Sequence, residues 1–110
     1  MNEVKIVRKE GLEKVKKDPM VIFPYKINPN FSATYIEIDG NYGAIKCLRE
    51  DRIYFIIEGS GKFIIEDNEY EVKNGDLIFI PMNTPYNIIG KMSCFLLCSP
   101  EFNPDDDVWL

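Results

Sequence analysis

The catalytic chemistry open to this chain is limited by the absence of histidine from its 110 residues. Without an imidazole, a general base has to be a carboxylate, a cysteine, or a lysine or tyrosine with a perturbed pKa. The cysteines are Cys47, Cys94 and Cys98, an odd number without the close spacing of a metal-binding pair. Cys94 and Cys98 would share one face of a strand about 13–14 Å apart, too far to chelate one ion. We therefore expect free thiols in a reducing compartment.

The composition predicts one folded domain that does not bind nucleic acid. Hydrophobic residues make up 45% and charged residues 28% of the chain, as in ordinary globular proteins. A net charge of −5 disfavours nucleic acid as a partner, because phosphate binding requires a basic surface. The N-terminus is charged from Glu3 onward, unlike a signal peptide, and no run approaches the roughly 18 apolar residues of a membrane span. We expect a cytoplasmic protein that does not bind membranes.

Most of the chain has the pattern of short strands separated by turn residues. Residues 4–7 alternate like a strand, residues 10–17 suit a short surface helix that ends before Pro19, and residues 24–29 are too rich in Pro and Asn for regular structure. Strands are then predicted over residues 32–38, 42–48, 53–57, 62–66, 70–72, 77–80, 86–89 and 93–98. Residues 102–110 are interpreted as an extended tail. Short strands without intervening helices indicate an all-β sandwich or closed barrel.

Two stretches resemble the conserved motifs of the cupin superfamily. They are residues 56–61, Ile-Ile-Glu-Gly-Ser-Gly, and residues 75–81, Gly-Asp-Leu-Ile-Phe-Ile-Pro. When the family spacing of the first motif is counted from Gly40, its ligand positions and final glycine fall on Lys46, Leu48, Arg52 and Gly59. When the second motif is counted from Gly75, it reaches Pro81, Asn83, Tyr86 and Gly90. Gly40, Gly59, Gly75 and Pro81 fall on positions of the frame, whereas every metal-binding histidine and glutamate is replaced.

The resemblance implies a small, single-domain, RmlC-like cupin: an all-β jelly-roll barrel, or double-stranded β-helix, preceded by the short helix. Within one domain of residues 1–110, residues 1–30 would be an N-terminal extension, 31–98 the barrel and 99–110 a tail. Gly59 and Gly61 would supply the positive φ of a tight hairpin. Cupins of this size commonly pair, and the strand at residues 4–7 offers an unpaired edge, so we expect a homodimer.

The cupin frame also implies a ligand pocket. If the family's ligand positions point into the barrel, alternation places Lys46, Arg52 and Tyr54 on its inner face and Tyr86 on the opposite wall. Arg52 could clamp a carboxylate or phosphate, and the two phenols could stack on a ring and hydrogen-bond at its edge. Tyr35 is included in the predicted pocket, although it shares its parity with outward-facing residues. An Arg52 that faces a cavity would add little to folding stability.

A filled barrel is the alternative. Lys and Arg can extend to the rim of the barrel, and Arg52 could form a simple salt bridge with Glu50 or Asp51. A metal is not expected in either case, because a lysine and an arginine at ligand positions would repel a cation. Glu37, Asp39, Glu50 and Asp51 could supply oxygen ligands, but their spacing does not indicate a site. We expect neither a metal nor another cofactor.

The sequence thus favours a metal-independent cupin that binds a small polar or anionic ligand, such as a sugar, a carboxylate or a phosphate. One alternative is a metal-free isomerase or epimerase that acts on a sugar-type substrate, and another is a structural or interaction module with a filled barrel. No catalytic residue is assigned. The geometry of four residues distinguishes these hypotheses. Convergence on one open cavity would support ligand binding, and a filled interior would support a structural module; the residues are Lys46, Arg52, Tyr54 and Tyr86.

Overall fold

The structure is a computed structural model that describes residues 4–110, nearly all of them in or between β-strands. The strands are β1 (Val15–Lys17), β2 (Met20–Asn28), β3 (Phe31–Asn41), β4 (Ile45–Cys47), β5 (Asp51–Ile65), β6 (Asn68–Lys73), β7 (Leu77–Ile80), β8 (Tyr86–Ser99) and β9 (Asp107–Trp109). Two 3-10 turns cover Lys9–Gly11 and Pro104–Asp106. No helix among residues 4–110 is long and apolar enough to span a membrane. The predicted all-β class is confirmed.

The long strands β5 and β8 connect two walls of a curled sheet. They pair antiparallel along almost their whole length, from Asp51 opposite Ser99 to Ile65 opposite Tyr86. The first half of β5 and the second half of β8 lie in one wall with β1, β2, β3 and β7. Their other halves lie in a second wall with β4, β6 and β9. This arrangement is the jelly-roll barrel that the sequence predicted.

The predicted hairpin at residues 58–61 is wrong, because β5 continues through these residues with only a bulge between Ile56 and Glu58. The glycines there serve a close approach of β5 to β8. A Cβ atom on Gly90 would lie 2.5 Å from the Cα of Gly61. Glycine lets the two backbones approach where the strands bend from one wall into the other.

The core lies between the two walls. Its aliphatic and aromatic side chains come from inward-facing positions of strands β2 to β8, and they include Ile36, Ile38, Ile45, Ile56, Phe63, Ile80 and Ile88. Burial alternates along β3, where Ile36 and Ile38 are buried and Glu37 and Asp39 are exposed. One face of each wall is therefore apolar and interior, as expected for half-buried antiparallel strands.

The N-terminal region differs from the prediction. The helix expected over residues 10–17 is wrong: only the 3-10 turn Lys9–Gly11 forms, and residues 15–17 are strand β1, paired with β2. An isolated helix of eight residues is marginal, so sheet pairing outweighs its weak pattern. Residues 4–7, predicted as a strand, have no regular structure. Conversely, residues 24–28, expected to be irregular, belong to β2.

Candidate functional site

A buried salt bridge lies inside the barrel at the beginning of β5. The guanidinium of Arg52 donates from Nε and Nη2 to Oε1 of Glu50, over 3.1 Å and 2.9 Å. Arg52 is only 2% exposed and Glu50 only 1% exposed. The second oxygen of Glu50 accepts from the backbone N–H of Asn103 at 3.3 Å. The C-terminal segment therefore helps to hold this carboxylate in place.

Two tyrosines extend the network across the barrel. Arg52 Nη1 donates to the hydroxyl of Tyr86 over 2.7 Å, and the hydroxyls of Tyr86 and Tyr54 are also 2.7 Å apart. Tyr54 lies two residues after Arg52 on β5, whereas Tyr86 begins β8 in the other wall. Either hydroxyl can donate in the hydrogen bond between the two tyrosines. The three side chains thus form a continuous hydrogen-bonded chain.

Asp107 on the C-terminal strand β9 completes the network. Its Oδ1 accepts from Nη2 of Arg52 at 2.6 Å. The register of β9 with β4 brings it there, since Asp107 is paired with Cys47. Two residues later, the ring of Trp109 packs edge-on against Tyr42, with centroids 5.1 Å apart. The tail is therefore an ordered part of the site.

The network carries one guanidinium and two carboxylates, which gives it a net charge of −1 when both acids are ionised. Burial opposes the charge on Arg52, but Tyr86, Tyr54 and Asp107 together raise its pKa, so the side chain stays cationic. Burial raises the pKa of Tyr54 well above its usual value. Burial also raises the pKa of Tyr86, although Arg52 partly offsets the effect. Both phenols are therefore hydrogen-bond donors at neutral pH.

The structure brings together Arg52, Tyr54 and Tyr86, three of the five residues predicted to line a pocket. Lys46 lies elsewhere: its strand neighbours Ile45 and Cys47 are buried in the interior, so Lys46 faces the opposite side of β4. The family spacing, counted from Gly40, placed Lys46 at a ligand position and therefore inside the barrel. The chain leaves the strand between β3 and β4, where Gly43 has a φ of +101°, and the alternation changes phase.

Tyr35 also lies outside the barrel, in contrast to the prediction. On β3 it alternates with the buried Thr34 and Ile36. Its ring packs against Phe23 and Phe95 at centroid distances of 5.8 Å and 5.7 Å, and the Lys9 ammonium lies 4.0 Å from its centroid. Tyr35 lies two residues from Glu37 on β3, and this spacing correctly indicated that both side chains face outward.

The sequence analysis named Glu50 as a possible salt-bridge partner and as one of four possible oxygen ligands, and it missed Asp107 altogether. Asp107 is the third of three consecutive aspartates, a pattern typical of a solvated surface, and β9 is too short to show strand alternation. The available signal was Trp109, an aromatic residue in an otherwise polar tail. If Trp109 packs against the barrel as part of a strand, alternation places the side chain of Asp107 on the same face of that strand as Trp109.

The residues of this interior do not fit the metal of a metal-binding cupin. Arg52 places a cation at the centre of the network, and its two carboxylates are already engaged with it. Among residues 4–110, no group of three His, Cys, Asp or Glu side chains could hold an ion.

The network is closed to solvent. Tyr54 and Tyr86 are 1% and 2% exposed. Two clefts of about 680 Å³ and 540 Å³ lie elsewhere, the first beside Lys62 and Glu71 and the second beside Glu37 and Lys91. A ligand that reaches the two tyrosines must therefore displace part of the protein. The strand that covers Arg52 is β9, which carries Asp107 and is paired with the short β4.

The buried phenols and thiols predict a loss of stability at alkaline pH. Burial raises the pKa of Cys94 to about 12 and raises that of Tyr54 as well. Such groups ionise in the unfolded chain before they do so in the folded protein. Their contribution to the free energy of unfolding is complete below about pH 9. It is lost as the pH rises toward the folded pKa, at about 1.4 kcal/mol per pH unit for each group. Thermal melts between pH 7 and 11 should show a falling midpoint. Cys94→Ala should make that dependence shallower, and an unchanged slope would contradict the assignment.

Comparison with known proteins identifies the fold family. Residues 49–98 match the family model of the cupin domain. An uncharacterized protein of Methanocaldococcus jannaschii is 38% identical over 60 residues, which cover 51% of this chain and 48% of that protein. The match therefore spans about half the length of that relative.

Solved structures extend the likeness to nearly the whole chain. Streptomyces PAC13 with uridine has a TM-score of 0.89 at 22% identity, covering 99% of this chain and 92% of that one, and Pac13 is described as a nucleoside dehydratase. KdgF from Halomonas sp. has a TM-score of 0.83 at 16% identity, covering 94% and 98%. Ectoine synthase from P. lautus has a TM-score of 0.81 at 10% identity, covering 97% and 90%. At these identities the likeness shows the fold. Together with the match of residues 49–98 to the cupin-domain model, this likeness shows that the chain has the cupin fold.

Proposed function

We propose that this chain is a metal-independent cupin that binds a small polar, ring-containing ligand beside the Arg52–Tyr86–Tyr54 chain. The observation that carries the proposal is the burial of this polar chain inside the barrel. A buried ion network seldom stabilises a protein more than apolar packing of the same volume would. Buried charged and phenolic groups with perturbed pKa values are typical of functional sites.

The geometry favours an uncharged ligand over an anion. Glu50, Asp107 and Tyr86 occupy most of the donors of Arg52, and the two carboxylates outweigh its charge. A free carboxylate or phosphate would meet a net negative site. A hydroxylated ring needs only hydrogen bonds, and the hydroxyl of Tyr54 at the end of the chain can supply one. The structural likeness to PAC13 with uridine, a neutral nucleoside, supports the same choice.

Entry of the ligand would require β9 to move. β9 contains three residues, and its Trp109 is 57% exposed. In this proposal, separation of β9 from β4 withdraws Asp107 from Arg52 and frees a donor of the guanidinium. A polar ligand would then take the place of the Asp107 carboxylate.

The proposal is tested with uridine and unmodified hexoses as probes, using isothermal titration calorimetry. We expect saturable binding of a probe, which Tyr54→Phe weakens about threefold to tenfold, the worth of one neutral hydrogen bond. Tyr70→Phe is the matched control, because Tyr70 is a half-exposed phenol on β6, outside the barrel. If the wild-type protein binds no probe, or if both variants bind like the wild type, the interior is a filled structural core.

A metal-free enzyme is the second candidate, favoured by the likeness to a nucleoside dehydratase. With the phenols protonated, the only bases of the network are its carboxylates. Burial raises the pKa of Asp107, while Arg52 lowers it in part, and a raised pKa makes a carboxylate a better proton acceptor. Mass spectrometry of the same probes after incubation distinguishes binding from isomerisation or loss of water.

A further inference from the structure

A third tyrosine lies beside the buried network. Tyr42 follows β3, and its backbone N–H donates to the carbonyl oxygen of Ile88 over 2.9 Å. Its side chain is half-buried and packs against the core of the barrel. Burial raises the pKa of Tyr42, and the nearby Tyr86 and Asp107 raise it further. The phenol of Tyr42 therefore belongs to the surroundings of the network.

The loop that carries Tyr42 is attached to β8 by its backbone. The N–H of Gly43 donates to Oδ1 of Asn87 over 2.8 Å, and it also lies 3.0 Å from Oδ1 of Asn41. Together with the bond to Ile88, these contacts join the loop to the first residues of β8. We therefore expect Tyr42 to keep its position when β9 moves.

The indole of Trp109 covers the ring of Tyr42. Their centroids are 5.1 Å apart and their planes are inclined by 77°, an edge-on arrangement that aromatic pairs favour. The same indole lies over Gly43, where an added Cβ atom would be 3.6 Å from it. Trp109 is nevertheless more than half exposed to solvent. It thus holds an aromatic ring against Tyr42 without being enclosed by the core.

Asp107 and Trp109 point to the same side of β9. They are paired with Cys47 and Ile45, which are both buried, and directly paired residues of antiparallel strands lie on the same face. Two residues along an extended strand correspond to about 6–7 Å. The strand therefore presents a carboxylate and an aromatic ring to the barrel at a fixed spacing.

We propose that Asp107 and Trp109 occupy the two halves of the ligand site in the closed protein, and that the ligand is a planar aromatic ring joined to an uncharged hydrogen-bond acceptor. This inference rests on the function proposed above and narrows its ligand class. When β9 separates from β4, the acceptor of the ligand takes the place of the carboxylate on Arg52. The ring of the ligand takes the place of the indole on Tyr42. A nucleoside, in which a planar base is joined to a hydroxylated sugar, has both parts.

The charges that remain after Asp107 leaves favour an uncharged acceptor. Arg52 keeps its two hydrogen bonds to Glu50 and its bond to Tyr86. One cation and one carboxylate then balance each other. The donor that is released is Nη2 of Arg52, which lies 2.6 Å from Oδ1 of Asp107 in the closed protein. A carbonyl or hydroxyl oxygen can accept from this donor without adding a charge to a buried site.

The strand β9 is then a competitor built into the chain. The apparent affinity of a ligand is reduced by the fraction of molecules in which its site is closed. The closed state is held by the pairing of β9 with β4, by the bond of Asp107 to Arg52 and by the ring of Trp109. A change that weakens the closed state should therefore tighten ligand binding, whereas the loss of a residue that contacts the ligand should weaken it.

Isothermal titration calorimetry with uridine tests the competition. Trp109→Ala should bind uridine about twofold to tenfold more tightly than the wild type, the range that one aromatic pair contributes. Leu110→Ala is the matched control, because Leu110 is the exposed neighbour of Trp109, and it should bind uridine like the wild type. If the wild type binds uridine and Trp109→Ala binds it equally or more weakly, the inference is wrong while the proposed function stands.

A second substitution tests the ring position on Tyr42. In the Trp109→Ala background, where the competing indole is already absent, Tyr42→Leu should weaken uridine binding about twofold to tenfold. Tyr42→Phe in the same background keeps the ring and should retain most of the affinity. Equal affinities of the Tyr42→Leu and Tyr42→Phe proteins would overturn the placement of the ligand ring.

Free indole tests the ring position without uridine. It should raise the thermal midpoint of Trp109→Ala, because it replaces the missing side chain against Tyr42. This rise should be absent from Leu110→Ala and from the double variant Tyr42→Leu/Trp109→Ala. A wild type that binds no uridine would count against the proposed function, but a rise confined to Trp109→Ala would still support the ring site. No rise in Trp109→Ala, or an equal rise in all three proteins, would overturn the inference.

Discussion

We expect Arg52→Met to lower the free energy of unfolding by about 3–5 kcal/mol, the usual loss when one partner of a buried ion pair is removed. The replacement leaves the carboxylates of Glu50 and Asp107 facing each other in the interior without a cation. It also removes the donor to Tyr86. Urea denaturation followed by circular dichroism measures the loss. From the sequence, Arg52 was expected to contribute little to stability, and its burial reverses that expectation.

Two further variants show that the loss comes from uncompensated charge. Arg52→Lys keeps the charge but loses the planar fork that reaches three partners, so its stability should lie between those of the wild type and Arg52→Met. The triple variant Arg52→Met/Glu50→Gln/Asp107→Asn removes all the charges together and should recover a large part of the loss. An Arg52→Met protein within about 1 kcal/mol of the wild type, less than a buried pair requires, would contradict the buried network.

The part of the site that lies on one uninterrupted strand could be predicted from the sequence. Strict alternation along the first residues of β5 places Arg52 and Tyr54 on one face. The family spacing counted from Gly75 reaches Tyr86, the first residue of β8. The prediction failed where the alternation is interrupted. Lys46 lies beyond the irregular residues around Gly43, and no count of residues from Gly40 reveals the change of phase.

The acidic partners of Arg52 could be predicted only in part: Glu50 was named as a possible salt-bridge partner, whereas the burial of that pair and the role of Asp107 were missed. Glu50 lies just before β5, outside any strand, and Asp107 reaches the site only because β9 pairs with β4. Pairing between strands so far apart in the chain depends on the packing of the whole barrel. The polar tail carries no local pattern that specifies its position.

The glycines were predicted at the correct places but for the wrong structure. Gly59 does have a positive φ, of +97°, as the hairpin interpretation required, but Gly61, predicted to share it, does not. The neighbours of Gly59, however, are the backbone atoms of β8. Glycine is required at this position because two strands approach closely. A tight turn also requires glycine, so the sequence pattern alone does not distinguish the two structures.

We expect Gly59→Ala to destabilise the protein by about 3–5 kcal/mol, the sum of a strained φ and an overpacked contact. A Cβ atom there would lie 2.7 Å from the Cα of Met92 and closer still to the carbonyl oxygen of Lys91. Both are backbone atoms, so β5 and β8 must separate to admit the methyl group. That separation would also move Tyr54 on β5 relative to Tyr86 on β8 and weaken their hydrogen bond.

Gly75→Ala is the matched control, because it separates backbone strain from steric contact. Gly75 has nearly the same conformation, with a φ of +92°, but no atom lies within 4 Å of a Cβ placed there. Only the cost of the left-handed conformation remains, about 1–2 kcal/mol. Urea denaturation of the two variants should therefore differ by about 2–3 kcal/mol, the cost of overpacking alone. Equal losses would show that β5 and β8 can separate freely at Gly59, and the close crossing would then not be what holds Tyr54 against Tyr86.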